Sequence, residues 1–163
     1  MNTTVLERPT TEVDSHGSHE ERGLVTLTVG DQLCGVPVLA VRDILGEQTI
    51  TRIPLAPPEI AGSLNLRGRI VTAIDLRRRL RLPPPPAGMK RMSIVAEQGG
   101  ELYAFLVDQV SEVMSLDARQ FEPNPPTLPA TWSAYSAGIY RLNGRLLVVL
   151  DVARLLALMP NAG

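Results

Sequence analysis

Side chains able to do chemistry are few in this chain and mostly isolated. His16, His19 and Glu20 are spaced to hold a metal ion weakly, but no cysteine or third histidine completes a coordination shell. Cys34 is the single cysteine, and no histidine or asparagine stands near it in sequence to activate it as a nucleophile. Neither a phosphate-cradling glycine loop nor a zinc spacing occurs, so no cofactor or metal is expected. Asp75 and Asp151 each open a short helical pattern and read as N-caps, while Asp108, in Val-Asp-Gln-Val, reads as bonding neighbouring backbone amides. What remains is arginine. Arg67, Arg69 and the run Arg77-Arg78-Arg79-Leu80-Arg81 carry planar forks of donors suited to carboxylates and carbonyls. This inventory points to recognition of a partner and away from an enzyme.

The position of Arg67 singles it out. Gly62-Ser-Leu-Asn-Leu-Arg67-Gly68-Arg69-Ile-Val-Thr-Ala-Ile-Asp75 reads as a hairpin running into a capped helix. A shift of 76 lays residues 62–80 on 138–156 with seven identities in 19 positions: Gly62/Gly138, Leu66/Leu142, Gly68/Gly144, Arg69/Arg145, Asp75/Asp151, Arg78/Arg154 and Leu80/Leu156. Average composition would give roughly one or two, so the chain is internally duplicated. The second turn is Asn143-Gly144, the pair a type I′ turn prefers because both central residues need a positive φ. The first puts Arg67 in the asparagine position, where an ordinary L-residue costs about 1–2 kcal/mol. Two readings stand: a solvated arginine on a slightly different turn, or an arginine displayed for a partner.

The elements that position these residues follow from the apolar pattern. Residues 1–22 are polar and aperiodic and read as a disordered tail. Strands are expected at Leu24–Val29, at Leu33–Val36 ahead of Pro37, and at Thr49–Ile53. Val38–Leu45 is ambiguous between a helical turn and a strand. Asp75 precedes a short amphipathic helix, Leu76–Leu82, whose arginines are expected on a solvated face or against an acidic protein partner, contributing rim electrostatics. Pro83–Pro86 with Ala87 and Gly88 is a stiff connector and the one plain boundary. Strands at Arg91–Glu97 and Leu102–Val107 follow, and Val107–Val113 aligns with Val38–Ile44 at a shift of 69. The excess of seven residues falls in the Pro-rich loop 123–137, and Asp151 caps a last helix, Val152–Leu158.

The 163 residues, 44% hydrophobic but only 4% aromatic, suit two small units whose cores are built from Val, Leu, Ile and Ala. Halves of about 23–82 and 91–158, each with short strands, a hairpin and a small helix, imply paired β-barrels or sandwiches packed on each other. The formal net charge of −1 argues against a generic polyanion binder. A nucleic-acid-binding barrel is the rival from another class. It would stack bases on aromatics beside its cations, yet no aromatic residue precedes Tyr103. An unrecognised enzyme is the third reading. No apolar run reaches the roughly 18–20 residues of a membrane span, residues 1–20 lack a signal-peptide pattern, and a lone cysteine suits a reducing compartment, so a cytoplasmic location is expected.

Thr28-Val-Gly-Asp31, Ile50-Thr-Arg-Ile-Pro54, Asn65-Leu-Arg-Gly68 with Ile70 and Val71, Asp75-Leu-Arg77, Val107-Asp-x-Val110 and Leu150-Asp151, in this order and spacing, resemble the CheW-like domain family of chemotaxis coupling proteins. The resemblance runs from about Leu24 to Leu158. It implies a mainly β fold of two SH3-like, five-stranded β-barrel subdomains with short helices, residues 23–163 forming one CheW-like domain whose halves can exchange strands. It also implies a scaffold without catalysis. Proteins of this kind link the cytoplasmic tips of chemoreceptors to the histidine kinase CheA, docking on its CheW-like regulatory domain, with further CheW copies as additional partners in receptor arrays. The receptor-facing positions of the family match Val41, Gly62 and Arg67, and its wider groove matches Ile44, Asn65 and Leu66. No residue is assigned to the CheA-facing surface. The Pro83–Pro86 run, Cys34 where an aromatic is common, and the long 123–137 loop depart from the usual pattern.

Overall fold

The computed structural model describes residues 20–157. Ten strands form two five-stranded sheets. They are β1 (Glu21–Val29), β2 (Gln32–Pro37), β3 (Asp43–Leu45), β4 (Ile60–Leu66), β5 (Arg69–Asp75), β6 (Met92–Gln98), β7 (Glu101–Val107), β8 (Gln109–Asp117), β9 (Ser136–Leu142) and β10 (Arg145–Leu150). Three short helices join them: α1 (Leu76–Arg79), α2 (Ala130–Ser133) and α3 (Val152–Ala157). One sheet has the order β9-β10-β2-β1-β8, the other β3-β6-β7-β5-β4. Each barrel therefore mixes strands from both chain-order halves, and β8 follows β7 directly across the boundary between them.

The duplication survives in register. Thr72 pairs with Tyr103 in the parallel contact of β5 with β7, and Val148 pairs with Cys34 in that of β10 with β2. These pairs are related by the shifts of 76 and 69. Asp75 N–H donates to the Glu59 carbonyl at 2.8 Å, and Asp151 N–H to that of Tyr135 at 2.9 Å. Gly62 and Gly138 occupy matching bulges at φ 148° and 156°. A Cβ on Gly62 would collide with the Thr51 carbonyl, and one on Gly138 with Phe121 and the Glu122 carbonyl. The glycines let a loop backbone bridge onto the hairpin strand, Thr51 onto Ser63 and Glu122 onto Ile139.

Alternation along the strands assigns side chains to three cores. On β10, Leu147 and Val149 point into one barrel with Leu24 and Tyr140, while Val148 and Leu150 face the seam. On β7, Leu102 and Ala104 fill the other barrel with Leu64, Val71 and Val95, while Phe105 and Val107 face the seam. Strands apolar on both faces read as continuous runs because each face has its own core. Leu27, Val36, Leu76, Leu80 and Leu155 complete the seam, each side chain contributing about 1.5–3 kcal/mol on burial.

The structure departs from the sequence reading at several points. The first strand begins at Glu21, inside the segment assigned to the tail, and residues 1–19 of that tail, with His16 and His19, lie outside the described residues. Thr49–Ile53 is not a strand; only Thr51 bridges to Ser63, because Pro54, Pro57 and Pro58 leave no run of donors for a ladder. Val38–Leu45 contains both alternatives, a 3-10 turn at Val38–Ala40 followed by β3. The first helix stops at Arg79, where Arg81 takes a left-handed φ of 60° and Leu82 N–H returns to the Arg77 carbonyl at 2.7 Å.

The largest correction concerns the arginines of that helix. Arg77 and Arg79 are buried, at 8% and 7% exposure, and do not lie on a solvated face. Arg77 grips Asp108 with two bonds, Nε to Oδ1 at 2.9 Å and Nη2 to Oδ2 at 2.7 Å, and its Nη1 donates to the Pro83 carbonyl at 2.8 Å. Asp108 does not bond its sequence neighbours; its Oδ2 accepts from Gly30 N–H at 2.9 Å, in the β1–β2 turn. One buried ion pair thus ties α1, the proline connector and the other barrel together. The bond to Asp108 raises the Arg77 pKa above its usual value, against the opposing effect of burial. Arg79 Nε donates to the Leu155 carbonyl at 2.9 Å and its guanidinium stacks 4.9 Å over Tyr135. Asp75 caps α1 as expected, accepting from Arg77 N–H at 3.0 Å, and also pairs with Arg91 at 2.6 Å.

Candidate functional site

The hairpin that carries Arg67 is a two-residue turn closed by the Leu66–Arg69 pair. Arg67 and Gly68 both have positive φ, 53° and 86°, as type I′ geometry requires, and Asn143 and Gly144 match them at 26° and 83°. Asn65 Oδ1 accepts from Gly68 N–H at 2.9 Å, so this asparagine braces the turn from the strand before it. The backbone is held in a conformation arginine disfavours, and 75% of the Arg67 side-chain surface is open to solvent.

Across the barrel mouth Arg67 Nη1 meets Asp43 Oδ2 at 3.0 Å. Asp43 is on β3, at the opposite sheet edge from β4, so the pair spans the two edges of the rolled sheet. Its other oxygen accepts from Ile44 N–H at 2.8 Å. Beside it Arg42 Nη2 pairs with Glu97 Oε1 at 3.2 Å. These two pairs with Leu66, Arg69, Val95 and Leu102 line a cleft of about 270 Å³. The site is an open, charged mouth over an apolar floor. That shape suits a protein side chain arriving from solvent.

Of the six positions assigned to the receptor-facing groove, Leu66 and Arg67 line this cleft. Ile44 adjoins it on β3 and is 40% exposed, its side chain on the face opposite Asp43 and Leu45. Val41 is half-buried and packs on the seam core. Asn65 acts within the turn, and Gly62 serves as the bulge further along β4. Asp43, Arg42 and Glu97 were not identified from the sequence, since pairing across a barrel mouth leaves no periodic signal. Among the described residues no group of three or more His, Cys, Asp or Glu could hold a metal. Cys34 is buried, and that burial, with the charge of Asp108, pushes its thiol pKa up, so it is held as the neutral thiol. No helix among the described residues is long and apolar enough to cross a membrane.

Two five-stranded barrels that exchange strands, packed on a shared apolar seam and carrying an exposed charged mouth, have the form of a docking module. Residues 23–159 match the family model described as CheW-like domain, and the chain belongs to that family. It is 35% identical over 130 residues to a chemotaxis protein CheW of Klebsiella aerogenes, covering 80% of this chain and 78% of that protein. It is 28% identical over 142 residues to a chemotaxis protein CheW of Rhizobium meliloti, covering 87% and 92%. The crystal structure of the scaffolding protein TtCheW from Thermoanaerobacter tengcongensis superposes with a TM-score of 0.76 at 26% identity, covering 87% of this chain and 97% of that one. The chain is accordingly a non-catalytic adaptor of the chemotaxis scaffold type, with the mainly β, two-barrel fold expected of it.

Proposed function

We propose that this protein couples the cytoplasmic tips of chemoreceptors to the histidine kinase CheA, in the cytoplasm and at receptor arrays. The observation that carries the receptor half is Arg67. It occupies a strained left-handed position at an exposed hairpin tip, where the twin hairpin has the asparagine that such a turn favours. Folding gains little from an arginine there, whereas a partner's carboxylate or carbonyl gains a planar fork of donors. In this reading a receptor helical hairpin lays apolar positions near Val41, Ile44 and Leu66, and Arg67 exchanges Asp43 for a polar or acidic group of the receptor. Asn65 and Gly62 serve the same surface by holding the turn and the strand. CheA and further CheW copies occupy other faces.

The test is binding of a receptor signalling fragment to Arg67→Glu. Reversing the charge at a solvent-exposed tip leaves the cores untouched, so the variant folds and binding falls by tenfold or more, about 1.4 kcal/mol. Full retention of binding by a folded variant overturns the reading. Co-purification with both a receptor fragment and CheA tests the coupling itself, and absence of either partner rejects it.

A further inference from the structure

The far end of the same hairpin carries a second unassigned surface. The loop after β3 runs Arg52-Ile-Pro-Leu55-Ala-Pro-Pro58 to β4, and Leu55 is fully exposed. Its φ of 65° is left-handed, a conformation a leucine adopts only at a cost, and it makes no compensating burial. Three prolines and the turn bond from Ile60 N–H to the Pro57 carbonyl at 2.9 Å stiffen the segment. It is therefore a preorganised loop displaying an apolar side chain, with no folding role that accounts for the display.

Leu55, Ile53 and Pro57 line a groove of about 450 Å³ together with Arg52 and Arg78. Both arginines are exposed, and neither has an ion pair among the described residues. Arg78 is the outward member of the helix whose Arg77 and Arg79 are buried. Asp75, the one carboxylate in the wall, is engaged by Arg91 at 2.6 Å. The groove thus pairs an apolar contact with two guanidiniums and lacks the acidic groups that would complement them.

We propose that this groove docks an acidic peptide segment of a partner protein, one whose apolar side chain seats against Leu55 between carboxylates that meet Arg52 and Arg78. The alternative occupant, an anionic membrane surface, fits less well. The site is concave, and electrostatic adsorption to a bilayer takes clusters of about 4–8 cations where this groove has two. The groove lies at the opposite end of β4 and β5 from Arg67, so the proposal goes beyond the receptor reading and does not depend on it.

The probe is a capped peptide alternating glutamate and leucine, titrated into the isotopically labelled full chain and followed by amide chemical shifts. A version with lysine for glutamate and phosphatidylserine-containing vesicles run in parallel. Saturable shifts confined to the 52–61 segment and the neighbourhood of Arg78, weakened severalfold by raising salt from about 0.05 to 0.3 M, are expected. The Arg52→Ala/Arg78→Ala pair and Leu55→Gly each reduce the affinity by about fivefold or more. Glycine relieves the left-handed φ, so Leu55→Gly keeps or raises the melting temperature and its loss of binding is not a folding defect. Arg67→Glu leaves this binding unchanged. Equal binding of the lysine peptide, scattered or absent shifts, undiminished binding by Leu55→Gly, or preference for the vesicles each overturns the proposal.

Discussion

Replacing Arg67 with asparagine, the residue its twin hairpin carries at Asn143, separates what the fold wants at this tip from what binding wants. At φ 53° an arginine bears a left-handed cost of about 1–2 kcal/mol, most of which asparagine avoids because its short side chain tolerates that region. Against this stands the lost ion pair to Asp43. The arginine side chain is 75% exposed, so solvent screening limits that pair to about 0.2–1 kcal/mol. The difference leaves Arg67→Asn equal to the parent or more stable by up to about 1.5 kcal/mol, a rise of up to roughly 3–6 °C in Tm for a chain of this size. Binding to a receptor fragment falls tenfold or more in the same variant, because the donor fork is gone. Urea unfolding gives the first quantity and calorimetric titration the second. An Asp43→Asn variant, with the double variant, isolates the ion-pair contribution by cycle. Destabilisation of more than about 1 kcal/mol, or binding left intact, would refute the reasoning that strain is retained here for recognition.

Gly62→Ala places a methyl against the Thr51 carbonyl at φ 148° and is expected to cost about 2–4 kcal/mol, with Gly138→Ala costing a similar amount; denaturant midpoints check both, and the alanine at the exposed Gly144 should cost less. Arg77→Ala leaves Asp108 buried without its partner and should lose about 3–5 kcal/mol, whereas Arg77→Met with Asp108→Leu recovers most of that loss; equal instability of the two would show that the pair does more than neutralise itself. Cys34 should resist a thiol reagent at pH 8 until the protein unfolds. Its folded pKa is raised, so the stability this thiol contributes is whole below the ordinary value of 9.0, where the unfolded chain begins to ionise. Above that it falls by about 1.4 kcal/mol per pH unit, a slope that Cys34→Val removes.

What could be read from the sequence was whatever repeats or alternates. Seven identities at a shift of 76 foretold two hairpins that match in turn type, bulge and cap, because backbone geometry at Gly68, Gly144, Asp75 and Asp151 depends on local residues. The strand runs were legible for the same reason, each side chain having a core on its own face. The site was legible only in its local part. Arg67 announced itself by being the wrong residue for its turn. Asp43, 24 positions earlier, gave no sign, because its partner is chosen by the closure of the barrel. Thr49–Ile53 misled in the opposite direction: its composition is that of a strand, but prolines just beyond it end the ladder after a single bridge.

The arginines after Asp75 show why composition misjudged a whole face. A run of four arginines in five residues reads as solvated when the helix is taken to continue through Leu82, with Leu76 and Leu80 facing the seam and the cations facing out. The helix lasts four residues, and Arg81 turns the chain back, so Leu76, Leu80 and the stems of Arg77 and Arg79 are enclosed together. Burial of a guanidinium is tolerable where its charge and most of its donors are met, and the groups that meet them come from distant parts of the chain; Arg79 Nη2 alone is left without a hydrogen-bond partner, its guanidinium stacked on Tyr135. Asp108 closes β7, Pro83 opens the connector, and Leu155 lies in the last helix. Arg78, one position from each, faces solvent and has no ion pair among the described residues. Acceptors at the seam serve the two arginines that face it. The third is left outside, exposed to solvent in the wall of the groove that Leu55 also lines.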